Sequence, residues 1–202
     1  MSWPNCEARI PASATFGIIG VTEGTPYSAT NPCLAAQAAQ FPNTLSLYAN
    51  SGWNDHSTHL DPSSPKGCLP EDADCLAYNY GYNAGLAAYD AATAAGVSSG
   101  MWWLDVESDN TWNDDANQNR NSLQGEDDAL TARGATTVGV YSTPSGWQTI
   151  TGDWQNSWPS WIGADDPASA QGRQACTGHK FTGGPTLVIQ SDPHRIDRDI
   201  AC

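Results

Sequence analysis

The sequence predicts an α/β protein built around parallel strands. Three observations lead there. Short apolar runs with strand character recur along the chain, helix-like stretches separate several of them, and no internal repeat breaks the alternation. At 202 residues the chain is long enough to bury a substantial core, and its length predicts one domain over 1–202.

The elements follow in order. Residues 16–21 (FGIIGV), 45–49 (LSLYA), 101–106 (MWWLDV), 137–142 (TVGVYS), 159–163 (PSWIG) and 187–190 (LVIQ) are aliphatic and aromatic and read as strands. Residues 32–41 are rich in Ala and Gln, with Pro32 placed for a helix start. Residues 76–95 hold many alanines and stop at Gly96, a C-cap candidate. Residues 115–133 are polar on one face and stop at Gly134. Between them, 52–75 is a long loop rich in Pro, Ser, Asp and Gly, which is either functional or pinned by a disulfide.

Charge narrows the partners. Twenty-two acids against eight bases give a net charge of −14, and Lys66 and Lys180 are the only lysines. Nucleic acid and anionic membranes repel such a chain, so neither is an expected partner, and no apolar run reaches the length of a membrane span. The acids are spread along the chain, as a solubilising surface would have them. Six cysteines without a Cys-x-x-Cys suggest disulfides and an oxidising compartment. Fifteen pairings are possible. Cys68 with Cys75 is the best local choice, Cys176 with Cys202 would tie down the C-terminus, and Cys6 with Cys33 would remain. A zinc site is the weaker alternative, because the spacing fits no common zinc pattern. No signal peptide is visible, so a secreted chain is expected to have a processed, engineered or incomplete N-terminus.

The run Met-Trp-Trp-Leu-Asp-Val-Glu at 101–107 is the most informative stretch. It has strand composition yet ends in Asp105 and Glu107. Side chains alternate along a strand, so both acids face one way, their Cα atoms about 6–7 Å apart. Crowding raises the pKa of one member of such a pair and leaves the other charged, which is acid/base equipment. The plainer reading is a strand end with two solvated acids or a cation site. In α/β barrels the site lies at the C-terminal ends of the strands. Those ends read Glu23; Asn50 and Trp53; Asp105 and Glu107; Tyr141; Trp161; Gln190 and Asp192. Acids, amides and rings suit a sugar: rings stack on pyranose faces while acids and amides bond hydroxyls. Nine tryptophans fit this, with Trp53, Trp112, Trp147, Trp154 and Trp158 as groove candidates and at least one of Trp102 and Trp103 in the core. His56 and His59 beside Asp55 and Asp61 are a weak metal candidate in a polar loop, and no metal or other cofactor is expected. Asp109, Asp114 and Asp115 lack the spacing of an EF-hand. No nucleophile elbow, phosphate loop or dinucleotide fingerprint is present, which leaves hydrolysis by acids as the leading chemistry.

Several segments together resemble glycoside hydrolase family 25, the lysozymes with an irregular TIM-like β/α barrel. FGIIGVTEGTPY resembles that family's second strand, LSLYANSG its third, WLDVE its Leu-Asp-x-Glu strand, VGVYSTPSGW the next strand and the start of its helix, and LVIQSDPHRIDRDIAC the closing strand. The Asn-Pro-Cys segment at 31–33 and the Ala-Tyr-Asn-Tyr-Gly-Tyr-Asn-Ala segment at 77–84 resemble a branch of secreted actinobacterial family-25-like proteins. The resemblance implies Glu107 as general acid, Asp105 as its assistant, Asp197 and Glu23 completing an acidic floor, and Asn50, Trp53, Trp112, Tyr141, Trp161 and Gln190 at the substrate. It departs from the family in four places. Gly20 stands where the family carries Lys, Ala49 where it carries His, and Ser191 where Tyr follows Gln190. The opening residues look like the tail of a first strand, so that strand is expected to be truncated and its catalytic Asp to lie upstream.

The leading expectation is therefore a secreted, monomeric glycosidase acting on a polysaccharide or oligosaccharide, with cell-wall glycan implied by the resemblance. The net charge of −14 argues against close work on an anionic wall and keeps neutral polysaccharides or detached fragments in play. The alternatives are a non-catalytic carbohydrate-binding protein and a disulfide-stabilised barrel with a scaffold role.

Overall fold

The computed structural model describes Cys6 and residues 10–164, 176–177, 181–191 and 198–202. Seven strands form one sheet in sequence order: β1 (Gly17–Gly20), β2 (Leu45–Asn50), β3 (Met101–Asp105), β4 (Thr137–Ser142), β5 (Ser160–Ala164), β6 (Thr186–Ser191) and β7 (Arg198–Ala201). The first six pair in parallel, and β7 returns antiparallel to β6. The sheet curls into a half-barrel, the α/β architecture with parallel strands that the alternation of strands and helices predicts. The expected remnant of an earlier strand, residues 1–4, lies outside the described residues.

Side-chain alternation sorts each strand between two environments. Ile19, Leu47, Trp102, Leu104, Val138, Val140, Ile162 and Ile189 enter the large core that the helices cover. Ile18, Tyr48, Trp103, Trp161 and Val188 form a second, mostly aromatic cluster on the concave face. Two glycines in one row of the sheet make space for it. A Cβ on Gly20 would collide with the Tyr48 ring, and one on Gly139 with the Trp103 ring.

Four helices are described: α1 (Leu34–Ala38), α2 (Ala73–Ala94), α3 (Ala116–Ala132) and α4 (Pro144–Thr151). Asp72, Asp115 and Thr143 cap α2, α3 and α4 by accepting from the backbone N–H groups of Cys75, Asn117 and Gly146. The chain leaves α2 and α3 through Gly96 (φ 72°) and Gly134 (φ 106°), the left-handed conformation that made both legible as stops. α2 and α3 approach closely enough that a Cβ on Gly81 would strike the Ser122 carbonyl, and one on Gly125 the Tyr78 carbonyl.

Some boundaries differ from expectation. α1 has five residues rather than the ten of 32–41, and Pro32 lies outside it. α2 starts three residues earlier than 76, at the Asp72 cap. The helix after β4 entered the sequence reading only through the family resemblance, although Thr143 followed by Pro144 is a start signal in its own right. β7 was missed because a four-residue edge strand carrying Arg198 and Asp199 shows no apolar run. The disulfides are Cys6–Cys33, Cys68–Cys75 and Cys176–Cys202: the local choice and the two pairings set beside it. The long loop before α2 is pinned by more than its disulfide. Asn79 donates to the carbonyls of Asp61 and Lys66, and Asn83 to that of Ser64.

Candidate active site

The sheet register sets the site. Asn50, Asp105, Tyr141 and Trp161 are successive partners across β2 to β5, so one row of the concave face carries an amide, an acid and two rings. Asp105 is the last residue of β3 and only 6% exposed. The Asn50 side-chain amide donates to its Oδ2 at 2.9 Å. The backbone of Asn50 in turn donates to Thr22 Oγ1 at 3.1 Å, which ties the end of β2 to the chain leaving β1.

The segment after β3 is fastened from both sides. Ser51 N–H donates to the Asp105 carbonyl and Val106 N–H to that of Tyr141, so the ladder runs one residue past the strand. The Asn110 side chain donates to the carbonyls of Ser51 and Asp105, both at 3.0 Å. Ser142 Oγ donates to the Val106 carbonyl at 2.7 Å. Glu107 therefore stands one alternation beyond Asp105, at the rim, where it is exposed. Trp112 Nε1 and Asn110 N–H both donate to its carbonyl, fixing its backbone.

The two acids differ electrostatically. Burial raises the pKa of Asp105 well above the ordinary carboxylate range, and the charges of Glu107 and Glu126 raise it further. The spacing alone left open which member of the pair would carry the raised pKa. Burial sets Asp105 apart: it has lost its water, whereas Glu107 stands exposed at the rim.

The opposite wall is polar. Tyr141 OH donates to Gln190 Oε1 at 2.5 Å, and the Tyr141 ring lies 4.4 Å from that of Trp161. Trp161 Nε1 donates to Asp199 Oδ1 at 2.9 Å. Asp199 was not singled out from sequence, since its neighbour Asp197 held the family position; Asp197 and Asp192 lie outside the described residues. Glu23 is exposed one residue beyond Thr22, past the end of β1.

Three residues expected at the substrate are buried in this structure. Trp53 is 1% exposed, packs edge-on against Tyr80 and donates to Gln118, so it offers no face to a sugar. Trp161 is 3% exposed and supports Tyr141 from within the barrel. Asn50 is 7% exposed, and its amide is spent on Asp105. Trp147, a groove candidate by its loop setting, is fully buried and stacked on Trp154. Large rings reach the interior because a core gains most from burying them, and composition alone does not separate that use from stacking on a ligand. Tyr141, Gln190 and Trp112 keep part of their surface exposed. His59 stacks on Tyr27 in the loop before α2, and no group of three His, Cys, Asp or Glu side chains that could hold a metal occurs among the described residues.

Sequence reasoning also missed Glu126. It sits in an acidic run of α3, Glu126-Asp127-Asp128, that reads as a solvated face, yet it is 2% exposed. Its helical spacing from Leu123 and Leu130 was the available signal.

Comparisons with known proteins bear on the fold. The family model for lysozyme-like protein 1 matches residues 74–172. The structure is similar to a bacterial lysozyme from Streptomyces coelicolor, with a TM-score of 0.56 at 18% identity, over 94% of this chain and 79% of that one. It is similar also to the catalytic domain of endolysin ply40 from bacteriophage P40 of Listeria monocytogenes, with a TM-score of 0.55 at 15% identity, over 94% of this chain and 80% of that one. Among curated proteins no significant sequence match is found. Motif order, the family-model match over 74–172 and the structural likeness converge on the fold: the chain has a lysozyme-like α/β barrel architecture and resembles lysozymes of the glycoside hydrolase family 25 type.

Proposed function

We propose that the chain is a glycoside hydrolase acting on a polysaccharide, with cell-wall glycan as the first substrate class to test. One observation carries the reading: a buried acid with a raised pKa, Asp105, stands beside an exposed one, Glu107, at the C-terminal end of a barrel strand. The pair acts as a unit that holds one proton. In the free protein that proton rests on buried Asp105. A sugar settling on the rim strips water from Glu107 and draws the proton toward it, so Glu107 is the group that protonates the departing glycosidic oxygen. Asp105, then charged and held by Asn50, stabilises positive charge developing at the anomeric carbon. Tyr141, Gln190 and Trp112 present hydroxyl, amide and ring to the sugar. Glu23 and Asp197 are carried over from the family likeness as further acids of the floor. Three disulfides favour an oxidising, extracellular setting.

Glu107→Gln keeps the shape but has no proton to give, so it should lower hydrolysis of a responsive glycan by about a hundredfold or more. A panel of cell-wall glycan and neutral polysaccharides, followed by reducing-end release, makes the measurement. A variant as fast as the parent removes Glu107 from the chemistry. A second reading, sugar binding without turnover, draws on one feature. The Tyr48 ring fills the space over Gly20, so the Lys that the family carries there has no room here. Glycan retention without reducing-end release on every substrate would favour it.

A further inference from the structure

Behind the mouth, on the helix side of the sheet, lies a second buried acid that the mechanism does not use. Glu126 projects from α3 in the buried stripe that also holds Ser122, Leu123, Ala129 and Leu130. The close packing of α2 holds it there: a Cβ on Gly85 would press on the Glu126 carbonyl. α3 also reaches the active-site loop directly, since Ser122 Oγ donates to the Gly52 carbonyl at 2.7 Å. Three buried oxygens in this region, Ser51 Oγ, Asp105 Oδ1 and Glu126 Oε1, have no well-formed hydrogen bond among the described residues. The groups within electrostatic reach of Glu126 come from every element around it. They are Ser51 after β2, Asp105 on β3, Asp127 beside it on α3, Tyr80 on α2 and Tyr27 in the loop after β1. None is a cation. A negative charge at Glu126 would be desolvated and would have only acids and hydroxyls for company.

We propose that Glu126 is a positioning residue: as a neutral acid it fits beneath the ends of β2 and β3 and supports the carboxylate pair, and as an anion it disables that pair. Burial pushes its pKa up to about 8, Asp127 adds to the rise and the contact with Ser51 opposes it. Glu126 thus holds its proton through acid and neutral conditions. Once it ionises, its charge raises the proton affinity of Asp105 from behind, so Asp105 can no longer pass its proton to Glu107. The activity arm of this inference rests on the glycosidase reading; the titration arm does not.

The test is a carboxyl-carbon NMR titration of the full chain, run beside hydrolysis rates, for the parent and Glu126→Gln. In the parent the Asp105 signal should show an inflection near the Glu126 midpoint, about 8. In the Gln variant that inflection should vanish. The ratio of variant to parent hydrolysis should rise by about tenfold from neutral pH to one unit above that midpoint, as an ionising group would dictate. A residue that merely fills space would leave that ratio flat. Ser51→Ala is the second variant, sufficient alone if Glu126→Gln does not fold. It removes the contact that favours the anion and should move the inflection upward. If the parent cleaves no glycan, loss of the Asp105 inflection still sustains the coupling while the hydrolase reading falls. An Asp105 titration identical in the parent and in every folded variant overturns the inference.

Discussion

On its helix side β3 presents Trp102 and Leu104, packed dry against α2 and α3; on its concave side the same five residues present Trp103 and Asp105. The helix side is closed by glycines that let α2 and α3 touch backbone to backbone. The concave side is closed by rings, and at its open end it keeps an acid with one oxygen bonded to Asn50 and the other without a hydrogen-bond partner among the described residues. The contrast teaches where the fold tolerates cost. Leaving a buried polar oxygen unpaired costs about 1–3 kcal/mol, and this chain places that cost at the end of the strand where chemistry is proposed. Stability is gathered on the other face, where burying each large aliphatic side chain contributes roughly 1.5–3 kcal/mol.

Asp105→Asn should give the largest departure between the two faces. Activity should fall by about a hundredfold or more. Stability at neutral pH should hold or rise, because the amide accepts from Asn50 without a proton to retain. Parallel loss of activity and stability, by hydrolysis rate and urea unfolding, would make Asp105 a structural residue and erase the contrast.

Stability against pH comes next. Asp105 is raised well above 3.8, Glu126 from 4.5 to about 8, and Asp127 from 3.8 to about 6, each chiefly by burial. The folded state therefore binds more protons than the unfolded one between these limits. Their contribution is complete below the unfolded values and is lost as pH rises through the folded ones. Urea midpoints should fall from pH 5 to pH 9; a rise would mean that these groups are charged in the fold.

Gly125→Ala tests the helix side alone. Its Cβ meets the Tyr78 carbonyl and the Tyr82 N–H, so the helices must separate, at a cost of about 1–3 kcal/mol. The melting temperature should drop while the pH optimum stays in place. The smallest effect is expected from Tyr141→Phe, which removes the hydroxyl bonded to Gln190. Sugar binding should weaken by about threefold to tenfold, one net hydrogen bond's worth, with kcat little changed. A large fall in kcat would move Tyr141 from recognition into the chemistry.

The sequence displayed the helix side more fully than the concave one. Six strands were legible because their apolar runs are what a sheet buried on both faces requires. The Asp105–Glu107 spacing drew attention to the candidate site because alternation is a local rule. Burial was not legible. Nothing local separates Trp53, which is core, from Trp112, which is half-exposed, since the difference is made by α2 folding back over the loop. Nor does an acidic run reveal that Glu126 alone turns inward while Asp127 and Asp128 face outward or sideways; only the helical period does. β7 escaped because its charges belong to an edge and its partner is antiparallel.

The strand order has a consequence for how such a protein is made and altered. Each strand pairs with the one before it in the chain, from β1 to β7. During synthesis every new strand meets a partner that already exists, and no long insertion between distant strands is needed. Asp105 and its supports are complete once β4 has joined, whereas the wall of Gln190 and Asp199 arrives last and is locked by Cys176–Cys202. Early translation builds Asp105 and Glu107, and late translation builds the surface opposite them. Changes confined to the last two strands can thus alter the wall opposite Asp105 while the pairing of the first four strands stays in place.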